Sequence, residues 1–407
     1  MLNHFRPLSR NTQVLSMTVG LVLTAYFAWS PLIALHLRDL GANDLQVGVA
    51  FSIFTLAHFL PAILGGMLAD RFGRKWVFTA PGLILAPLYL IGGLTRDWVV
   101  LTVILTCTNF IGAMQWPAMQ AFMSESDEER RATAFSFMEI FVLSAAIVGP
   151  LVSSLLLPIL GIAGLIFAHG IALLPATAAR ILILRETHHR SQRVPFQLRQ
   201  WRAALPNAIL WIMAANAFFA LALGLSFEGP FSALLANDVW KLNAVQIQWV
   251  NAAGAAFALI GVWLGGKADA WGGRRMWILS AIGFAITLAG WGLSPRWEIG
   301  VIFFLGAHVF YETIFIVAET MLAQHSTRAT RSTVFGFQTT SASFATAAGP
   351  TVGAWAAALS SLAAPFLIAA AAMVASLGLL TRVTDAGDAD AGEIMPEEFV
   401  AAQVTAE

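Results

Sequence analysis

Long apolar stretches alternate with short polar ones along the chain, and most apolar stretches can cross a bilayer as a helix, which takes about 20 residues. Breaks at charge, glycine or proline predict twelve spans, at 14–37, 45–69, 76–95, 98–123, 132–158, 160–184, 207–236, 245–268, 276–294, 297–323, 333–358 and 362–381. Only Pro158-Ile159-Leu160-Gly161 separates the fifth span from the sixth. A membrane β-barrel would instead alternate apolar and polar residues over about ten positions, and that pattern is absent. The expectation is an all-α integral membrane protein.

Composition agrees: of 407 residues, 58% are hydrophobic and 11% charged, against about 25% charged in soluble domains. Lys+Arg and Asp+Glu balance at 23 each, so net charge is silent about partners while its distribution is not. With the N-terminus cytoplasmic, eighteen cations fall on that side, four (Arg38, Arg96, Lys241, Arg296) on the other, and Arg180 lies inside the sixth span. That bias is the positive-inside signature. It predicts a multi-pass protein of the plasma membrane with both termini cytoplasmic, and a first apolar stretch retained as a span.

No basic tract with interleaved aromatics suggests nucleic acid. Cys107 is the one cysteine, which excludes an intrachain disulfide or a cysteine metal cluster. Neither metal-ligand spacing nor a phosphate-binding GxxxxGK[S/T] loop occurs. No cofactor, no metal and no catalytic residues are expected, and an enzyme is not the expected class. The lipid bilayer and a small-molecule substrate are the expected partners, and a monomer the expected state.

The chain is also written twice. Gly65-Gly66-Met67-Leu68-Ala69-Asp70-Arg71-Phe72-Gly73-Arg74-Lys75 returns as Gly265-Gly266-Lys267-Ala268-Asp269-Ala270-Trp271-Gly272-Gly273-Arg274-Arg275. Phe135-Ser136-Phe137 returns as Phe335-Gly336-Phe337 and Gly149-Pro150 as Gly349-Pro350, at a shared offset of 199 or 200 residues. The expected domains are a six-helix bundle at 1–184, a cytoplasmic linker at 185–206, a second bundle at 207–381, and an acidic disordered tail at 382–407. Repeats of whole six-span units are related by an axis along the membrane normal.

These motifs carry a resemblance to the major facilitator superfamily. Gly66, Leu68, Asp70, Arg71, Gly73, Arg74 and Lys75 fit its loop between second and third spans. Gly349-Pro350-Thr351-Val352-Gly353 and Gly149-Pro150 resemble the Gly-Pro motif of its drug/proton antiporter branch, and Glu129-Arg130-Arg131-Ala132 its element before the fifth span. The resemblance implies alternating access, with Asp70 latching the cytoplasmic faces together near Ser332-Thr333. It implies Arg71, Arg74 and Lys75 in a charge network with Glu129 and Arg131, and Asp269 as the second-half counterpart. The sequence departs from the pattern at Ala270 and Gly273, at Ser153 after the first Gly-Pro, and in a fourth span without arginine. The Gly-Pro pairs should bend their helices, since proline removes a backbone donor.

Ionisable residues inside spans are the first candidates for a transport site, because a charge there costs several kcal/mol. His308 and Glu312 lie four apart on one helical stripe of the tenth span, with Glu319 seven further. Glu312, near the midplane, is the candidate to bind a proton or a cationic substrate; a mutual bond with His308 is the alternative. Glu139 and Glu228 are further candidates, with a cytoplasmic charge network and an interfacial position as their alternatives. His58 and His169 read as satisfied core histidines. Trp29, Asn109, Gln115, Trp116, Asn216 and Gln338 are candidates to line a central cavity, suited to amphipathic and often cationic molecules. The function expected is secondary transport, as proton-coupled efflux of amphipathic molecules. A symporter or facilitator of a polar solute such as a sugar is the alternative, and a non-transporting receptor a distant one.

Overall fold

The structure, a computed structural model, describes residues 8–57, 61–187, 207–326 and 331–383. Most of the expected linker and tail lies outside these residues, as does His58. Helices dominate because lipid offers no partner for a bare amide, so each span satisfies its backbone internally.

Among the described residues the helices form twelve spans. The first is built of Arg10–Trp29, the 3₁₀ turn Ser30–Leu32 and Ile33–Asp39. The second comprises Asp44–Leu56 and Pro61–Phe72, the third Arg74–Thr79 and Gly82–Leu94, and the fourth Trp98–Ser126. The fifth and sixth run as Arg131–Ile183, interrupted at Gly161, whose φ of 64° no helix contains. A straight helix of that length would reach about 80 Å, far beyond the bilayer core, so this glycine marks the turn. The seventh is Asn207–Gly224 and Phe231–Asp238. The remaining five are Ala244–Gly265, Gly273–Leu293, Trp297–His325, Arg331–Leu359 and Ala364–Leu380.

The repeat extends from residues to contacts. Asn43 and Asn243 each cap a helix, and each forms a capping box with a glutamine three residues on, Gln46 and Gln246. The first and seventh spans both break near a proline, Pro31 and Pro230. Gly73 and Gly272 take φ of 93° and 85°, so the second turn keeps its backbone form although it lost two of its charges. In the first turn Lys75 Nζ donates to the Ile181 carbonyl, ending the sixth span; in the second, Arg274 Nη2 donates to the Thr381 carbonyl, ending the twelfth. Each cation thus satisfies a carbonyl at the negative end of a helix dipole.

The Gly-Pro pairs also act alike. Gly149 lets the fifth span press on Thr24 and Phe27 of the first, and Gly349 lets the eleventh press on Gly224 and Leu225 of the seventh. The two six-helix bundles meet where the second span crosses the eleventh and the fifth crosses the eighth.

Gly73 supplies a direct test of the turn. Alanine there must adopt a backbone form nearly confined to glycine, with its Cβ 2.6 Å from Glu186 Oε2. The expected cost is about 1–3 kcal/mol, read as a lower apparent Tm in detergent. Gly336→Ala, with nothing within 4 Å of the added carbon, is the control. Equal melting of the two variants would remove the case for a strained turn.

Candidate functional site

One wall of the site belongs to the N-terminal bundle. A cavity of about 300 Å³ lies between its first, third, fourth and sixth spans, lined by Tyr26, Asn109, Gln115, Trp116, His169 and Arg180 among others. It runs from Tyr26 and His169, deep in the bundle, toward Val19, Met119 and Arg180 at the end that carries the basic turn. Asn109 and Gln115, both expected here, reach it from the fourth span, where Asn109 Nδ2 also donates to the Leu105 carbonyl. Trp29 lies behind the wall: it is buried, and its Nε1 donates to His169 Nδ1 at 3.1 Å. The rings of Tyr89 and His169 pack tilted against each other, 4.1 Å between centroids.

The opposing wall comes from the C-terminal bundle. Glu312 is half-buried on the tenth span, its Cβ seated against Gly261 of the eighth. Its carboxyl group makes no hydrogen bond or ion pair among the described residues. Glu139, exposed on the fifth span of the other bundle, is near enough to act on it electrostatically. Glu228 projects from the break in the seventh span, exposed between the helix ends, within electrostatic reach of Tyr26 and Tyr311. Three carboxylates from three spans therefore face the space between the bundles.

His308 does not pair with Glu312. Its Nδ1 bonds the Phe304 carbonyl at 3.0 Å, and its ring packs edge-on against Phe227 at 4.5 Å and Phe304 at 4.4 Å. Asn216 is buried in the seventh span, and Gln338 is buried in the eleventh with its Oε1 unpartnered among the described residues.

Bonds between the bundles gather at the end away from the basic turns. Gln248, fully buried, donates from one amide nitrogen to the Ala28 carbonyl at 2.7 Å and to Ser153 Oγ at 2.9 Å. Thr351 donates from its amide and hydroxyl to Ser52 Oγ. Arg38 bridges Asp44 of its own half and Asp238 of the other, at 2.6 and 2.7 Å. Positions 38 and 238 are repeat equivalents, so the ion pair straddles the axis relating the halves. Gly48 fits against the Pro350 carbonyl and Ala354. The pairings themselves were not expected from the sequence, although Arg38, Ser153, Pro350 and Thr351 were named there for other reasons. Gln248 follows the second capping box by two residues and Ser153 replaces a motif glycine; those were the available signals.

At the basic end, Arg74 Nη2 pairs with Glu125 at 2.8 Å, while Glu186 accepts the amides of Arg74 and Lys75. Glu129 is exposed, and Arg131 donates to the Ser124 carbonyl. Arg74 thus pairs with Glu125 in place of the expected Glu129, while Lys75 Nζ goes to the Ile181 carbonyl and Glu186 takes the backbone amides of the turn. Arg71 lies over its neighbour Phe72 at 5.2 Å. The side chains of Gly66's neighbour Met67, Asp70, Asp269 and Ser332-Thr333 fall outside the described set, and the proposed latch with them.

Two six-helix bundles, joined at one end and enclosing polar and carboxylate-bearing walls, define a multi-pass membrane transporter. The model of the Major Facilitator Superfamily matches residues 15–236 and 217–398, and the chain belongs to that family. It is 25% identical over 340 residues to an MFS-type transporter of Mycobacterium tuberculosis, covering 80% of this chain and 78% of the relative. It is 24% identical over 352 residues to multidrug resistance protein MdtG of Serratia proteamaculans, covering 83% and 85%. The fold superposes on a variant of the nucleoside transporter NupG with a TM-score of 0.78 at 12% identity, over 92% of this chain and 100% of the other. The chain is a secondary transporter of this family and is related to its drug/proton antiporter branch.

Proposed function

We propose that this protein exports amphipathic small molecules in exchange for protons, with Glu312 as the proton-binding group. The observation carrying the reading is a carboxyl group on a membrane span, half-buried, without a protein partner among the described residues, facing Glu139 across the two bundles. A charge at such depth costs several kcal/mol, so what binds it decides the state of the protein. A proton arriving there removes the repulsion between the two carboxyl groups and lets the bundles rock. Glu228, at the broken seventh span, provides a second group at the mouth of the same space.

The positive-inside bias puts the basic turns in the cytoplasm of a plasma-membrane protein. The joined end is then extracellular, and the cavity runs toward the cytoplasm. The relationship to MdtG, a multidrug resistance protein, supports export rather than uptake of a sugar. The aromatic walls of Tyr26, Tyr89 and Trp116 suit flat apolar bodies.

The test is substrate-dependent proton movement in sealed inverted vesicles. Glu312→Gln is expected to lower coupled proton flux at least about a hundredfold while the protein still inserts and melts normally. A variant that moves protons with unchanged pH dependence rejects Glu312 as the coupling group. Proton flux alongside substrate, in the same direction, would favour symport.

A further inference from the structure

Arg180 is a buried cation that the transport reading leaves unused. It is 5% exposed, on the sixth span, one turn before that span ends. Among the described residues its side chain makes one bond, from Nε to Thr18 Oγ1 at 2.9 Å. A guanidinium carries five N–H donors in a planar fork, so four remain uncommitted, and the side chain lines the cavity. Among the described residues, three carboxylates at this end of the bundle are engaged elsewhere. Glu125 pairs with Arg74, Glu186 accepts the amides of Arg74 and Lys75, and Asp127 accepts Ser9 and Thr12. A guanidinium buried without an anion is strongly unfavourable.

His169, which lines the same cavity, carries a second unpartnered donor. Trp29 donates to His169 Nδ1, so Nδ1 is an acceptor and a neutral ring carries its proton on Nε2. Among the described residues Nε2 is buried without a partner, and His169 is only 2% exposed. Tyr26, Tyr89 and Trp116 provide ring faces between these donors. A cavity with a fork-shaped cation, a lone N–H donor and aromatic walls is complementary to an aromatic anion.

We infer that the N-terminal bundle holds a subsite for compact aromatic anions, with Arg180 gripping a carboxylate or similar oxyanion. The inference rests on the transporter reading and narrows its substrate class: the amphipathic molecule carries a negative group. Volume agrees, since about 300 Å³ is at the small end of ligand pockets.

The test uses the full chain in lipid nanodiscs and two probes, naphthalene carboxylate and the neutral naphthalene carboxamide, titrated by calorimetry. The carboxylate is expected to bind at least about tenfold tighter than the amide. Arg180→Gln should reduce carboxylate affinity to that of the amide and leave the amide unchanged. Arg180→Lys, which keeps the charge and loses the fork, should fall between. Should the glutamine variant fail to fold, Thr18→Val, which frees Nε while keeping the cation, is expected to weaken only the carboxylate. Equal affinity for both probes, no binding by either, or carboxylate affinity indifferent to these substitutions overturns the subsite. Binding is read at equilibrium without a proton gradient. Tight carboxylate binding by a chain that moves no protons would therefore reject the coupling reading alone.

Discussion

Replacing Gln248 with alanine is expected to tip the protein out of the state seen here. One amide nitrogen of this side chain reaches from the eighth span to a carbonyl on the first and a hydroxyl on the fifth, in a place with no solvent. Truncation leaves Ser153 Oγ buried and deprived of its donor, which costs about 1–3 kcal/mol. That cost falls only on the joined conformation, because opening this end admits water to the same groups. A ligand or mutation shifts a two-state equilibrium by its differential effect on the two states, so the open-to-closed ratio should change about ten- to a hundredfold. Spin labels at Asp39 and Val239 should report longer distances, and labels at Phe72 and Trp271 shorter ones. Cys107 is the sole native cysteine, so Cys107→Ser provides the background. If both distance distributions keep their wild-type form, Gln248 does not hold the halves together. Asp238→Asn, which weakens a partly exposed ion pair, should act in the same direction by under about 1 kcal/mol.

The second large effect is expected at Gly349. A Cβ there would stand 2.5 to 2.8 Å from three backbone atoms of Gly224 and Leu225. No rotamer change relieves that contact, because the obstacle is main chain on both sides. Valine should force the seventh and eleventh spans apart and cost about 3 kcal/mol, seen as lost monodisperse protein and a Tm several degrees lower. Gly378→Val, in a glycine of the twelfth span with nothing within 4 Å, should be tolerated. A Gly349→Val protein that purifies and melts like wild type would show that the spans can separate freely. The same comparison at Gly149, against Phe27 and Thr24, probes the repeat-related contact.

Both results concern how much of this protein can be read from residues alone. The spans were legible because lipid imposes a length and a polarity on every crossing helix. The fifth-to-sixth turn, marked only by Pro158 to Gly161, proved to sit at the one positive-φ glycine of that stretch. The repeat was legible from Asp70, Phe135 and Gly149 and their partners, and the structure extended it to capping boxes, broken spans and terminal cations. Partners were less legible. Arg74 was expected beside Glu129, yet it pairs with Glu125 across the fourth span's last turn, because helix phase rather than sequence distance sets which carboxylate faces the turn. Ser153 read as a departure from a glycine motif and is in fact the hydroxyl that receives Gln248. Arg180 stood out only as a lone cation within a span, and His169 as an ordinary core histidine.

What the amino-acid order determined by itself was therefore the twelve crossings, the duplicated halves and the sided charge, since each follows from local pattern and from the refusal of hydrocarbon to solvate polar groups. What the tertiary structure alone decided was which polar groups meet and which do not. Gln248 with Ala28 and Ser153, Arg38 with Asp238, Glu312 facing Glu139, and Arg180 left open on a cavity all join residues about 95 to 220 positions apart or depend on a neighbour that never arrives. No local rule governs such meetings, because they are set by how whole helices cross, and a small rotation of one helix reassigns every partner on its face.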